Sequence, residues 1–162
     1  MNQEPLATLE EHWDITYNHA LGEVVSRFYT VLRDEKKIMG RRCPSCERVL
    51  LPPRPFCDRD FVDTTEWVEV GHEGRVEAFT VVFQTFRGLP EAPYCIAYVL
   101  LDGADTAILN YIKGVDWTPE NVPQNIKVGD QVEVIFKEER EGRVTDFWFE
   151  KVSLDPGWSW GE

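Results

Sequence analysis

Long apolar runs are missing from this 162-residue chain: none approaches the roughly 20 residues that a helix needs to cross a bilayer, so no membrane helix is expected. Fixed-period repeats and low-complexity tracts are missing too, which leaves an ordinary globular composition. The first residues, MNQEPLATLEEHWD, lack a basic region followed by an apolar core; no secretory signal is expected there, and cytoplasm is the expected location. Bases are scarce. Lys and Arg total 17 against 29 Asp and Glu, a net charge of −12, and phosphates repel so acidic a surface, which argues against general nucleic-acid binding. Histidine is rarer still: His12, His19 and His72 stand apart, with no identifiable partner. Cysteine is limited to four. Three sit in metal-ligand spacing and Cys95 is remote, a pattern that fits a reducing compartment better than a disulfide framework.

What is present centres on CPSCERVLLPPRPFCDRD, Cys43 to Asp60. Cys43 and Cys46 form a C-x-x-C knuckle, and a second knuckle opens at Cys57 after ten intervening residues. Asp60 stands where a fourth Cys is expected. A zinc ribbon needs four donors converging at roughly 2.0–2.3 Å on one ion, and a carboxylate oxygen binds zinc at much the same distance as nitrogen does. The spacing therefore predicts one structural Zn²⁺ held by Cys43, Cys46, Cys57 and Asp60, with no open position for catalysis. A ribbon that keeps its hairpins without an ion is the alternative. From Arg33 to Arg59 the charge reverses: eight bases against four acids give +4, leaving −16 for the rest. Those bases either scatter over a solvated ribbon, partly offsetting the cysteine thiolates, or form an anion-facing surface, with Arg41, Arg42, Arg48 and Arg54 as candidate contacts to an anionic ligand or a partner. Arg54 sits in the rigid frame Pro52-Pro53-Arg54-Pro55, where it can face an anion or cap a local carbonyl.

Ahead of the ribbon, Tyr17, Leu21, Val24, Val25, Phe28 and Leu32 recur at three- and four-residue spacing, which predicts one apolar helix face with a break near Gly22. That face either packs on its own domain or docks on a partner, and Tyr17, Leu21, Val25, Phe28 and Leu32 are taken as a docking helix. Residues 1–14 are expected to fray or to lie along a partner. Short strands dominate the remainder. Lys37–Arg42 and Arg48–Leu51 flank the first knuckle; Trp67–Val70, Arg75–Phe86, Tyr94–Leu101, Ala107–Ile112, Gln131–Lys137 and Val144–Val152 follow, with Asn121–Lys127 as a connection. The run YCIAYVLL is apolar throughout, as a strand covered on both faces is, and Phe147 and Phe149 share a face. With no βαβ spacing, the expected class is mainly β: an N-terminal helical segment (1–36), a ribbon (37–66), a small closed barrel of five or six strands (67–154) and a tail (155–162). Trp158 and Trp160 in that tail are expected to anchor it on the barrel or on a partner.

Together, Cys43, Cys46, Pro52-Pro53-Arg54, Cys57, Gly74-Arg75-Val76, Pro93-Tyr94 and Val128-Gly129-Asp130 resemble the DUF35 family, whose members carry a rubredoxin-like zinc ribbon ahead of an OB-fold barrel. The resemblance runs from about residue 20 to residue 152, and Asp60 departs from the family's usual fourth Cys. It implies a non-catalytic subunit of a thiolase-type condensing enzyme, of the benzoylsuccinyl-CoA thiolase or phloroglucinol acetyltransferase kind, that binds a thiolase-fold dimer and shapes acyl-CoA access. Some relatives accompany an acyl-CoA hydratase instead. The residues agree that chemistry lies elsewhere. Thiolase chemistry needs a nucleophilic Cys, an activating His and an oxyanion hole, whereas Cys95 lies in an apolar run where a thiol is inert. Two further classes stand beside this one. A nucleic-acid OB module would stack bases on Trp67, Phe79, Phe83 and Phe86; a free-standing CoA-binding chaperone would need no fixed partner.

Overall fold

The architecture is that of a computed structural model, which describes residues 8–12, 15–85 and 87–152. Helix α1 spans Gly22–Glu35 and stops at Lys36, which turns the chain with a left-handed φ of 55°. Phe28 and Leu32, one turn apart, are buried in one continuous core with Ile38 and the barrel's interior. Of the expected docking face, Phe28 and Leu32 are thereby corrected. Tyr17 and Leu21 precede the helix and Tyr17 is 76% exposed, while Phe28 and Leu32 face the chain's own core. An amphipathic stripe reports that something covers it, and here the core shared by ribbon and barrel does. The Arg140 guanidinium fixes the helix end, donating to the Arg33 carbonyl at 2.7 Å and to that of Lys137 at 2.6 Å.

Three short strands make the ribbon sheet in the order β2-β1-β3: β1 is Met39–Arg42, β2 Val49–Leu50 and β3 Glu66–Glu69. Gly40 sits at its tightest point, where an added Cβ would come within 2.6 Å of the Val49 side chain. The stretch expected to open the barrel is β3, and it pairs with β1 instead, Gly40 opposite Val68 and Arg41 opposite Trp67.

The barrel closes through five strands in the order β4-β5-β6-β8-β7. They are β4 (Glu73–Val82), β5 (Tyr94–Leu101), β6 (Ile108–Lys113), β7 (Gln131–Phe136) and β8 (Phe147–Lys151). Every pairing is antiparallel except β6 with β8, where Ile112 lies opposite Phe149. Gly74 is required where β4 passes between β5 and β7, since a Cβ there would stand 2.4 Å from the Leu100 carbonyl oxygen. Phe147 and Phe149 both face inward, as alternation predicted. The connection after β6 carries a one-turn helix α2, Val122–Asn125. The last strand begins later than predicted because Val144–Asp146 forms a 3₁₀ turn, tied by the buried Asp146 carboxylate. One oxygen of that carboxylate accepts the N–H groups of Glu141, Gly142 and Arg143 at 2.6–2.9 Å.

Strand β5 is fully covered on one face and only partly on the other, where the sequence predicted cover on both. Cys95, Ala97, Val99 and Leu101 point inward and are buried, while Tyr98 is 49% exposed opposite Leu109 of β6. The turn between β5 and β6 also clasps the ribbon. Asp105 accepts the Val49 N–H at 2.8 Å and returns its own N–H to the Val49 carbonyl, and the Thr106 hydroxyl bonds both polar groups of the Leu51 backbone at 2.7 Å. Ribbon and barrel therefore share backbone bonds as well as a core. No described helix is long and apolar enough to cross a membrane.

Candidate metal centre

The two knuckles are built alike, which is why their side chains converge. In the first, Cys43 N–H donates to the Arg48 carbonyl at 2.9 Å and Glu47 N–H to the Cys43 carbonyl at 3.0 Å. In the second, Cys57 N–H donates to Val62 at 2.8 Å and Phe61 N–H to Cys57 at 3.0 Å. Each turn closes with a left-handed residue four places after its first Cys: Glu47 at φ 61° and Phe61 at φ 55°. Such a φ is uncommon outside glycine, and two matched instances mark a turn imposed by what the loop must present.

They present Cys43, Cys46, Cys57 and Asp60, whose donor atoms all lie within 4.8 Å of one another. The Sγ atoms of Cys46 and Cys57 are 3.7 Å apart, and Cys43 Sγ is 3.5 Å from Asp60 Oδ2. Two sulfurs at about 2.3 Å on a tetrahedral ion stand about 3.8 Å apart, and a sulfur and an oxygen slightly less. The donor set fits a four-coordinate metal site. Cys43 and Cys57 are fully buried, so three thiols and a carboxylate would otherwise be packed together with little water to solvate them.

The surroundings favour the anionic forms of part of this cluster. Burial pushes the Cys57 thiol up, but the Asp60 N–H, the Arg48 guanidinium, the Arg59 N–H and the Cys43 side chain outweigh it and hold the group at about 6. For Cys43 burial prevails and the thiol is raised, against the N–H groups of Cys46 and Ser45. The Cys46 thiol holds the Asp60 carboxyl below its usual range, with Cys43 and Ser45 adding to the effect. Arg48 is the cation of the site, donating to Cys57 Sγ at 3.5 Å and to Asp58 at 2.9 Å.

The four candidate arginines do not open onto one anion site. Arg48 and Arg54 share Asp58, Arg42 pairs with Glu66 at 3.0 Å, and Arg41 donates to the Thr64 carbonyl. Arg41 also stacks on Trp67, with Arg27 of the helix on the same ring, at 5.2 and 4.9 Å from its centre. Of the aromatics considered for base stacking, Trp67 is thus occupied, Phe79 packs against the core, Phe83 is exposed, and Phe86 lies outside the described residues, as do Trp158 and Trp160. Val25 is half-buried on the helix. The sequence reading named Arg48 as a candidate contact without placing it beside Cys57 Sγ, and it did not single out Asp105, which clasps the ribbon. The D-G-A-D turn was legible only as a turn, because its acceptor bonds a backbone N–H more than fifty residues away.

No nucleophile–base pair forms among the described residues. Burial pushes the Cys95 thiol up to about 12. His72 packs edge-on against Phe136 at 5.1 Å, and His12 lies 3.3 Å from Arg87, far from any thiol in the sequence.

Comparison with known proteins agrees with this architecture. Residues 32–66 match the rubredoxin-like zinc ribbon domain of ChsH2, and residues 67–137 match the C-terminal OB-fold domain of ChsH2. The chain is 29% identical over 121 residues to a DUF35 domain-containing scaffold protein of Methanocaldococcus jannaschii, covering 74% of this chain and 81% of that protein. A scaffold protein of the same description from Methanothermobacter thermautotrophicus is 28% identical over 110 residues, covering 64% and 74%. Among solved structures, a DUF35 family protein of unknown function from Sulfolobus solfataricus superposes with a TM-score of 0.61 at 23% identity, covering 81% of this chain and 87% of that one. The Ltp2-ChsH2(DUF35) aldolase gives 0.55 at 21%, covering 78% and 91%. With a rubredoxin-like ribbon leading into a five-stranded OB-like barrel and two adjoining domain matches across them, the chain belongs to the DUF35 family.

Proposed function

We propose that this chain is a non-catalytic scaffold subunit that binds a thiolase-fold acyltransferase and supports its assembly and its access to acyl-CoA. The observation that carries the reading is the outer face of β5 and β6, where Tyr98 and Leu109 stand exposed as a cross-strand pair beside Ile96. A barrel strand whose outward residues are also apolar asks for a cover, and aromatic and aliphatic anchors of this kind carry most of the energy in protein interfaces. Two features support an enzyme subunit as that cover: the described residues assemble no reactive constellation, and relatives at 28–29% identity are named scaffold proteins. The DUF35 protein in the aldolase complex supports a carbon–carbon bond-handling partner.

Zinc is the ion proposed for the Cys43, Cys46, Cys57 and Asp60 cluster. It would cross-link the two knuckles and, with four protein donors, would leave no position for substrate. Its contribution is to folding of the ribbon and hence to the surface offered to the partner.

The test is co-expression with thiolase-fold subunits from the same genome, followed by size-exclusion chromatography with light scattering. A stable hetero-oligomer is expected, and Y98D combined with L109D should dissolve it while leaving the circular dichroism unchanged. A wild-type chain that stays monomeric beside all of those subunits overturns the proposal, as does thiolysis by the isolated chain. Capture of an acyl-CoA hydratase in place of the thiolase would move the partner to that class.

A further inference from the structure

We propose that a cleft on the barrel, separate from the metal centre and adjoining the Tyr98–Leu109 face, binds a small aromatic carboxylate. The cleft holds about 450 Å³ and lies among the loop before β5, the end of β6 and the turn before β8. That is within the range of about 300–1,000 Å³ usual for small-molecule sites. Its apolar walls are Tyr94, Tyr111, Trp117 and Phe147. Phe147 and Trp117 are 1% and 7% exposed, and the two tyrosine rings meet edge to face at 5.8 Å. Tyr94 and Tyr111 come from paired strands and Trp117 is buried, so the site rests on ordered elements.

The polar members are the informative ones. Lys113 and Lys137 line the cleft, and no carboxylate does. This is notable on a chain of net charge −12. Lys36, Lys37 and Lys151 are each paired with a carboxylate, whereas among the described residues no carboxylate oxygen lies within 4.0 Å of the Lys113 or Lys137 ammonium. Lys113 is held over the Trp148 ring at 4.1 Å, and the backbone of Lys137 is pinned on both sides, to Asp146 at 2.8 Å and by Arg140 at 2.6 Å. A neutral apolar molecule would fill the walls and leave both ammoniums without an anionic partner. A bare inorganic anion would answer the ammoniums and leave the rings wet. A flat ring bearing a carboxylate satisfies both, with the Thr145 hydroxyl as a further donor.

The test uses the full-length, metal-loaded chain without any partner, so its result is independent of the scaffold reading. Titration with 3-phenylpropionate, followed by ¹H–¹⁵N correlation spectra, should shift the signals of Tyr94, Tyr111, Lys113 and the Trp117 indole saturably. The matching alcohol, 3-phenylpropan-1-ol, and inorganic phosphate should each bind at least about five-fold more weakly. K113Q and K137Q should each weaken the acid by about five-fold while leaving the alcohol unchanged. T145F, a change at an exposed position, should fill the cleft and abolish binding without altering the melting temperature. Equal binding of acid and alcohol would overturn recognition of the carboxylate. Unchanged binding by T145F would overturn the location, and the absence of saturable shifts in the wild type would overturn the proposal as a whole.

Discussion

Asp60 is the residue on which the proposed metal centre turns. Its carboxylate closes a set of three sulfurs, and an oxygen donor holds soft divalent ions less firmly than a thiolate does. Asp60→Cys should therefore slow metal loss to a chelator, and Cys57→Ser should abolish stoichiometric metal, both read by plasma emission on the purified chain and by the rate of release to a chromogenic chelator. Cys95 makes the opposite point. Its folded thiol is pushed up to about 12 by burial, so above the ordinary thiol range the unfolded chain releases this proton while the folded chain keeps it. The unfolded state then binds fewer protons, and stability must fall as pH rises from about 8.5 towards 12. Urea unfolding at pH 8, 9 and 10 should show that decline, and Cys95→Ala should flatten it relative to wild type even if it lowers stability throughout. That Cys43, Cys46, Cys57 and Asp60 converge was legible because their spacing is local. The place of Arg48 beside Cys57 was not, because Arg48 stood as one base among eight and its thiolate contact depends on the fold of the second knuckle.

Among the elements, the turn between β5 and β6 has the clearest energetic signature. Asp105 is the acceptor for the N–H of a buried Val49, and removing that acceptor leaves a donor away from water. Asp105→Ala should cost about 1–3 kcal/mol in urea unfolding, with Asp105→Asn recovering part of it through its amide oxygen. Element existence was well legible: each barrel strand was placed by alternation or apolarity, and the bounds of β5 were met at both ends. Partnership was less so. The pattern in Trp67–Val70 cannot say whether its strand joins β1 or the barrel, since pairing register is a non-local property. The helix stripe likewise showed an apolar face without showing what covers it, and Phe28 and Leu32 turned out to be core.

For the whole molecule, the relevant fact is that the ribbon has little interior of its own. Ile38, Val49, Leu51 and Val70 belong to the same continuous core as Val76, Phe147 and Phe149, and among the described residues only Cys43, Leu50 and Cys57 form a separate buried cluster. Removing the metal should therefore lower the melting temperature of one cooperative transition and not split it into two, a distinction that calorimetry with and without chelator will make. The net charge of −12 was legible as an exclusion, and its local reversal between Arg33 and Arg59 was legible as a feature, but ion pairs to acids outside that window, Arg42–Glu66, Lys37–Glu69 and Lys36–Glu138, absorb much of that reversal within the chain.

The matched knuckles carry one more implication. If each loop is a copy of the other in backbone conformation, exchanging them superposes Cys46 on Asp60, so the pair has two-fold symmetry in its main chain and none in its donors. A dication in that shell carries the same overall charge as it would among four thiolates, because aspartate and cysteinate are both monoanions. The altered corner therefore leaves the long-range field untouched and acts on chemical selectivity alone, tilting the site away from thiophilic ions such as cuprous copper.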